Sequence, residues 1–233
     1  GFADLMLGDG VAAVLEAHIG AGGGRFRGIR HAASWDASPD VRNSHTKPFQ
    51  HMLADETFRA GFARLAPLNM SFEGWCYHQQ IPEMTDLARS FPDTTIILNH
   101  FGGPLGIGPY VGKREEYLPQ WKRDIAELAT CPNVVAKLGG VNMRTNGYDW
   151  DKRDKAPGSE ELAAATRVFY DYCIEHFGPE RCLFESNYPV DKVSCSYHVL
   201  WNTFKRIASG CSAAEKAHLF HDTATRVYRI NAT

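Results

Sequence analysis

Three histidines close three apolar runs: His31 after "FRGIR", His78 after "SFEGWCY" and His100 after "TTIILN". Other polar groups gather at the same ends. Arg30 precedes His31, Tyr77 and Gln79 flank His78, Asn99 precedes His100, and Glu185, Ser186 and Asn187 follow "RCLF". An imidazole titrates near neutrality, so it can carry protons or ligate a metal. His100 lies in "ILNHFGGP", whose glycines let a ligand approach the backbone closely. It reads as a proton shuttle, a metal ligand, or a histidine hydrogen-bonded in a turn. His78 alone reads as a histidine bonded to a loop carbonyl. Beside His100 it reads as a second group on one ligand. Arg30 could clamp a substrate carboxylate bidentately or belong to a buried ion pair. Lys137 sits inside the apolar run "NVVAKLGG" and needs a partner there. It is either a substrate anchor or a salt-bridged strut. His31 and Tyr77 complete the set of candidate substrate contacts. His18, His176 and His218 fall on helical segments and read as structural or exposed.

The elements that must position these groups alternate along the chain. Residues 11–20, 55–68, 82–93, 117–131 and 159–178 read as helices, followed by two more near 195–208 and 212–229. Leu162, Ala165, Phe169 and Tyr172 step by three and four along the fifth. Ser159 is expected to cap its start and Gly178 its end. Residues 26–34, 71–78, 94–100, 133–140 and 181–189 read as strands, and Phe2-Ala3-Asp4-Leu5 as the end of another. A polar loop at 36–54, with His45 and His51, could form a lid. This βαβα order predicts one α/β domain over 1–233, with a parallel sheet or a (β/α) barrel. In such folds active sites form at the C-terminal ends of the strands.

Composition narrows the partners. The 233 residues are 44% hydrophobic and 22% charged, with a formal net charge of −2. That balance supplies no strong field for nucleic acid or anionic lipid. No basic run is interleaved with aromatics, so no nucleic-acid partner is expected. No apolar run reaches membrane-spanning length. The six cysteines, Cys76, Cys131, Cys173, Cys182, Cys195 and Cys211, form no C-x-x-C pair and read as reduced thiols. A cytoplasmic location is the expectation.

Three segments in this order, "TTIILNHFGGP", "NVVAKLGG" and "HFGPERCLFESNYPVDK", resemble the amidohydrolase-related (amidohydrolase 2 type) TIM-barrel hydrolases. The sugar-lactone and pyrone-dicarboxylate lactonases are the branch they look most like, with the aromatic-acid decarboxylases further off. The resemblance runs from about residue 2 to residue 230. It implies a (β/α)8 barrel with its site at the C-terminal face. His78 would match the fifth-strand histidine, a metal ligand in metal-dependent members. His100 would match the sixth-strand histidine, which polarises substrate or transfers a proton. Asn187 falls where the family carries an aspartate that binds metal or activates water.

Two departures follow. No His-x-His occurs, and by the resemblance the stub at 2–5 matches about the third strand, so the first two strands are absent from this sequence. Further N-terminal chain or a second subunit is then expected to cover the sheet edges, which makes a homo-oligomer an open expectation. Asn187 also replaces the aspartate, and an amide is neither a base nor a good zinc ligand. Glu185 could serve as base instead. The implied activity is opening of a small lactone with a carboxylated or sugar-acid skeleton. One divalent metal such as zinc would join His78 if His-x-His were restored. The alternatives are metal-dependent non-oxidative decarboxylation of an aromatic or unsaturated acid, or a catalytically degenerate ligand-binding barrel.

Overall fold

The computed structural model describes residues 1–230. Five strands lie side by side in chain order: β1 (Gly28–Ile29), β2 (Ser71–Gly74), β3 (Ile96–Asn99), β4 (Val134–Leu138) and β5 (Cys182–Phe184). Every neighbouring pair is parallel. Eight helices accompany them: α1 (Val11–Ala21), α2 (Glu56–Phe62), α3 (Ile81–Ser90), α4 (Arg114–Ala129), α5 (Ser159–Phe177), α6 (Tyr197–Ile207), α7 (Ala213–Ala217) and α8 (Thr223–Val227). A π-turn, His218–Asp222, joins the last two.

Side chains alternate across the sheet, and the register decides which face each one joins. Ile96 pairs with Val134, and Ala136 with Cys182. These residues, with Phe72, Leu98, Leu138 and Phe184, face the helices and enter the main core. The alternate row is Ile97, Val135 and Leu183, a smaller apolar layer on the inner face, covered by Val227, Ala224 and Tyr228. Glu73 pairs with Ile97, and Asn99 with Lys137, so both pairs continue that inner row toward the C-terminal ends. Burial on both faces explains the near-continuous apolar runs read as strands.

The strands are shorter than those runs. His78 opens a 3-10 turn, His78–Gln80, and His100 opens another, His100–Gly102. Residues 2–4 form no strand, and Leu5 opens a 3-10 helix, Leu5–Gly10. Gly1 lies along the open edge of β1: its ammonium donates to Gly28 O at 3.2 Å and its carbonyl accepts from Arg30 N at 2.8 Å. The expected cap at Ser159 is corrected. Gly158 occupies the cap position with no side-chain bond, while Ser159 Oγ accepts from Arg206 Nε at 2.9 Å. The helix itself spans the expected residues, but of the expected face only Leu162 and Phe169 are buried, with Tyr170, Cys173 and Phe177 completing the stripe; Ala165 is exposed and Tyr172 half-buried.

The loop expected as a lid is tied down. Tyr110 Oη and Gln79 Nε2 both donate to Asp36 Oδ2, at 2.7 and 2.8 Å. Tyr77 Oη donates to Arg42 O, and Gln80 Nε2 to Ala33 O at 2.7 Å.

Phe72 is the packing centre of the helix-facing side. It is fully buried, and its ring meets Phe62 edge-on at 5.1 Å and Phe58 at 6.2 Å. Phe72→Ala should cost about 3–5 kcal/mol in denaturant unfolding, as expected when a buried aromatic leaves a cavity. A loss under about 1 kcal/mol would show that the rings do not carry this part of the core.

Candidate active site

Five inward side chains meet at the upper end of β1–β4. Glu73 is the hub. Its Oε2 takes Lys137 Nζ, and also Arg30 Nη2 at 3.1 Å; its Oε1 accepts from Tyr228 Oη at 2.6 Å. Arg30 Nη2 also donates to Asn99 Oδ1 at 3.2 Å. Burial works to raise the Glu73 carboxyl, but Lys137, Tyr228 and Arg30 outweigh it and hold the group down at about 2. Burial and the Glu73 charge together push the Tyr228 phenol up. The Asn99 amide nitrogen is buried without a partner among the described residues. A cleft of about 660 Å³ opens beside this hub, lined by Arg25, Arg27, Arg30, Lys137, Glu73 and Tyr228 among others. Four cationic side chains there face one carboxylate, so the cleft favours anionic groups.

A second group continues the polar layer at the ends of β3–β5. His100 Nδ1 donates to Gly139 O at 3.2 Å and lies 2.7 Å from Glu185 Oε1. Those partners assign the ring proton to Nδ1, which leaves the Nε2 lone pair free. Glu185 Oε2 accepts from Asn187 N at 2.8 Å. Burial opposes ionisation of Glu185, yet His100, Lys137 and the Asn187 N–H bring its carboxyl below the usual range. Asn187 Nδ2 in turn donates to Asp191 Oδ1 at 2.7 Å. Asp191 is fully enclosed, and burial raises it to about 6. The two groups touch through Lys137, which faces both Glu73 and Glu185. The cleft reaches Lys137 but its lining does not include His100.

The backbone here is unusual. His100, Phe101 and Asn187 all have positive φ, at 54°, 60° and 51°. Each such residue stores about 1–3 kcal/mol of strain, and such positions concentrate at functional sites. Gly140, with φ 78°, admits the arrangement, since a Cβ there would strike the His100 ring and crowd Asn187.

Three expected contacts lie elsewhere. His31 follows Arg30 directly and so points to the opposite face. It is buried between Phe2 and Phe58, and its Nδ1 accepts from Leu5 N at 3.0 Å. Burial also lowers its pKa, as befits a neutral packing residue. Tyr77 is buried with its hydroxyl spent on Arg42 O. His78 sits in a tyrosine box, 4.3 Å from the Tyr117 ring and 5.2 Å from Tyr110, and burial pushes it down to about 4. Its Nδ1 accepts from Leu105 N at 3.4 Å, and no bond or ring contact joins it to His100 among the described residues. The expected helical histidines behave as packing groups: His18 stacks on Phe26 at 4.9 Å, and His176 bonds Tyr172 O at 3.0 Å. Glu73, Tyr228 and Asp191 were absent from the sequence-based candidates. A carboxylate in the middle of "SFEGW" was the one signal that could have marked Glu73.

The donors present do not fit a zinc-type ion. His78 is engaged, Asn187 offers an amide, and among the described residues no group of three or more His, Cys, Asp or Glu could hold a metal. All six cysteines are free, and five are buried. No helix among the described residues is long and apolar enough to cross a membrane.

Glu73→Gln should leave Lys137 buried without a charge partner and cost about 3 kcal/mol at neutral pH. The Glu73 carboxyl titrates lower in the folded than in the unfolded chain. Its contribution is therefore full above about pH 5 and is lost as pH falls toward 2. Unfolding free energy measured against pH should show that acid-side decline in the wild type and a weaker one in Glu73→Gln. Coincident slopes would contradict the hub assignment.

Comparison with known proteins agrees with this architecture. The sequence model of the amidohydrolase family matches residues 1–230. Uncharacterized protein y4mH of Sinorhizobium fredii is 34% identical over 99% of this chain and 69% of its own length. An L-fucono-1,5-lactonase of Burkholderia multivorans is 27% identical over 89% of this chain and 64% of its own length. Among solved structures, an amidohydrolase from Burkholderia multivorans with bound zinc superposes with a TM-score of 0.78 at 26% identity, over 99% of this chain and 72% of that one. The five-stranded parallel sheet is thus part of a TIM-barrel architecture, and the chain belongs to the amidohydrolase family.

Proposed function

We propose that this protein is a lactonase-type hydrolase that opens a small cyclic ester with a carboxylated or sugar-acid skeleton. The observation that carries the reading is the His100–Glu185 pair beyond the C-terminal ends of β3 and β5, linked through Lys137 to a cationic cleft that runs along the inner face of the sheet. The lactonase names of moderately distant relatives support the same class.

Water attacks the lactone carbonyl carbon. His100 Nε2, its lone pair free because Nδ1 carries the proton, accepts a proton from that water. Glu185 beside Nδ1 stabilises the imidazolium that forms, as a carboxylate does for any base histidine it orients. The proton then passes from His100 to the ring oxygen as the C–O bond breaks. Lys137 and Arg30 attract the carboxylate of the substrate and the one the reaction creates. Both are already shared with Glu73, so they bind as part of a fixed network. Asn187 keeps Glu185 in place through its backbone N–H. No step is assigned to His78, His31 or Tyr77.

The test is hydrolysis of sugar lactones and pyrone carboxylates by the 233-residue chain, with and without a chelator. Turnover of at least one lactone is expected. His100→Ala should lower kcat at least about 100-fold while the protein remains folded. Unchanged turnover in that variant would remove His100 from the chemistry. Carbon dioxide release from aromatic acids would move the protein to the decarboxylases, and binding without turnover would make it a ligand-binding barrel.

A further inference from the structure

A chain of contacts leads from the His100 ring away from the cleft into the protein. His100 Nδ1 faces Glu185 Oε1 at 2.7 Å; Glu185 Oε2 takes the Asn187 N–H at 2.8 Å; Asn187 Nδ2 ends on Asp191 Oδ1 at 2.7 Å. Nothing in the hydrolytic steps uses Asp191. It is fully enclosed, so it cannot touch a substrate. Its second oxygen makes no close hydrogen bond among the described residues, with the Asn142 side chain facing it. A buried carboxylate with one spare oxygen is costly unless what it holds has to be held.

We propose that Asp191 is a positioning residue for His100, acting through the side-chain amide of Asn187 and the carboxylate of Glu185. The proposal rests on the reading of His100 as the base. Its logic is the fixed direction of the Asn187 amide. Asn187 sits at positive φ, where its backbone N–H points to Glu185 while its side chain is anchored separately. Without an acceptor at 191, the amide could rotate, the left-handed turn could relax, and Glu185 would lose the N–H that aims it. Main-chain bonds tie the same corner: Asp191 N donates to Asn187 O at 3.1 Å, and Ser194 N to Asp191 O at 3.0 Å. Gly140 leaves no slack on the other side, because the His100 ring and Asn187 Nδ2 occupy the space that a Cβ there would need. The amide at 187 is therefore matched to the carboxylate at 191. An aspartate at 187 would set two carboxylates face to face.

The groups that face Asp191 from the surrounding elements are His100, Glu185, Asn142, Tyr170, Tyr188 and Cys195. A test must separate charge from hydrogen bonding. Asp191→Asn keeps an acceptor for Asn187 Nδ2 and should retain kcat and the His100 ring state. Asp191→Ala removes the acceptor and should lower kcat about tenfold or more with KM little changed, the scale set by partners that orient a functional imidazole. Asn187→Ala should lose as much, and the double alanine variant no more than either single one.

A second readout does not need turnover: the 15N spectrum of the His100 ring across pH, with thermal melts to confirm folding. The wild type and Asp191→Asn should show one tautomer, protonated at Nδ1, and one titration midpoint. Asp191→Ala and Asn187→Ala should show mixed tautomers or a shifted midpoint. An Asp191→Ala ring spectrum identical to wild type would overturn the proposal, as would Asp191→Asn failing like alanine. If no lactone is turned over by the wild type, the function proposed above fails, and the ring spectrum still decides the role of Asp191.

Discussion

A single buried carboxylate, Glu73, organises the inner face of the sheet. Its neighbours on β2 would place it in a wholly apolar layer, and an isolated charge there would protonate. It stays ionised because Lys137 from β4, Arg30 from the end of β1 and Tyr228 beyond α8 converge on it. Three distant parts of the chain are thereby locked to one strand. Removing the charge would free two cations and a phenol together. The cost of enclosing these ions is offset only while all of them remain paired. The cleft beside them is lined by two further arginines, Arg25 and Arg27, so it stays cationic overall.

The His100 corner is built on a different principle. There the strands have ended, and the backbone takes left-handed turns at His100, Phe101 and Asn187. Such turns re-aim side chains that regular strand geometry would direct elsewhere. Glu185 is the last inward residue of β5's line and meets the ring from the side, while Gly139 O accepts the hydrogen bond of the Nδ1–H. Lys137 connects this corner to the Glu73 hub, so one lysine faces the carboxylates of both groups.

Much of this was legible in the residue pattern. The helices fell near their expected places because their apolar spacing and end signals are local. The gathering of polar residues at strand ends was also readable, and His100, Glu185, Asn187, Lys137 and Arg30 do lie in one polar layer. What failed was parity. Arg30 and His31 are adjacent, so only one could face inward, and nothing in "GIRHAA" says which. The register with β2 decides it. Tyr77 and His78 lie beyond the end of β2, where strand alternation no longer applies and loop contacts take over. Glu73 carried no local signal of its role, and pairing puts it opposite Ile97 on the inner row. Asp191 and Tyr228 act through contacts distant in sequence or hidden behind a turn, which no local signal marks.

The proposed site lies between the His100–Glu185 pair and the Lys137 end of the cleft. A crystal structure of the protein with a lactam analogue of a sugar lactone tests this most directly. The account predicts the lactam carbonyl carbon within about 3–4 Å of a water held by His100 Nε2, with its polar substituents toward Lys137 and Arg30. An analogue bound elsewhere, with the His100 ring and Lys137 untouched, would contradict it.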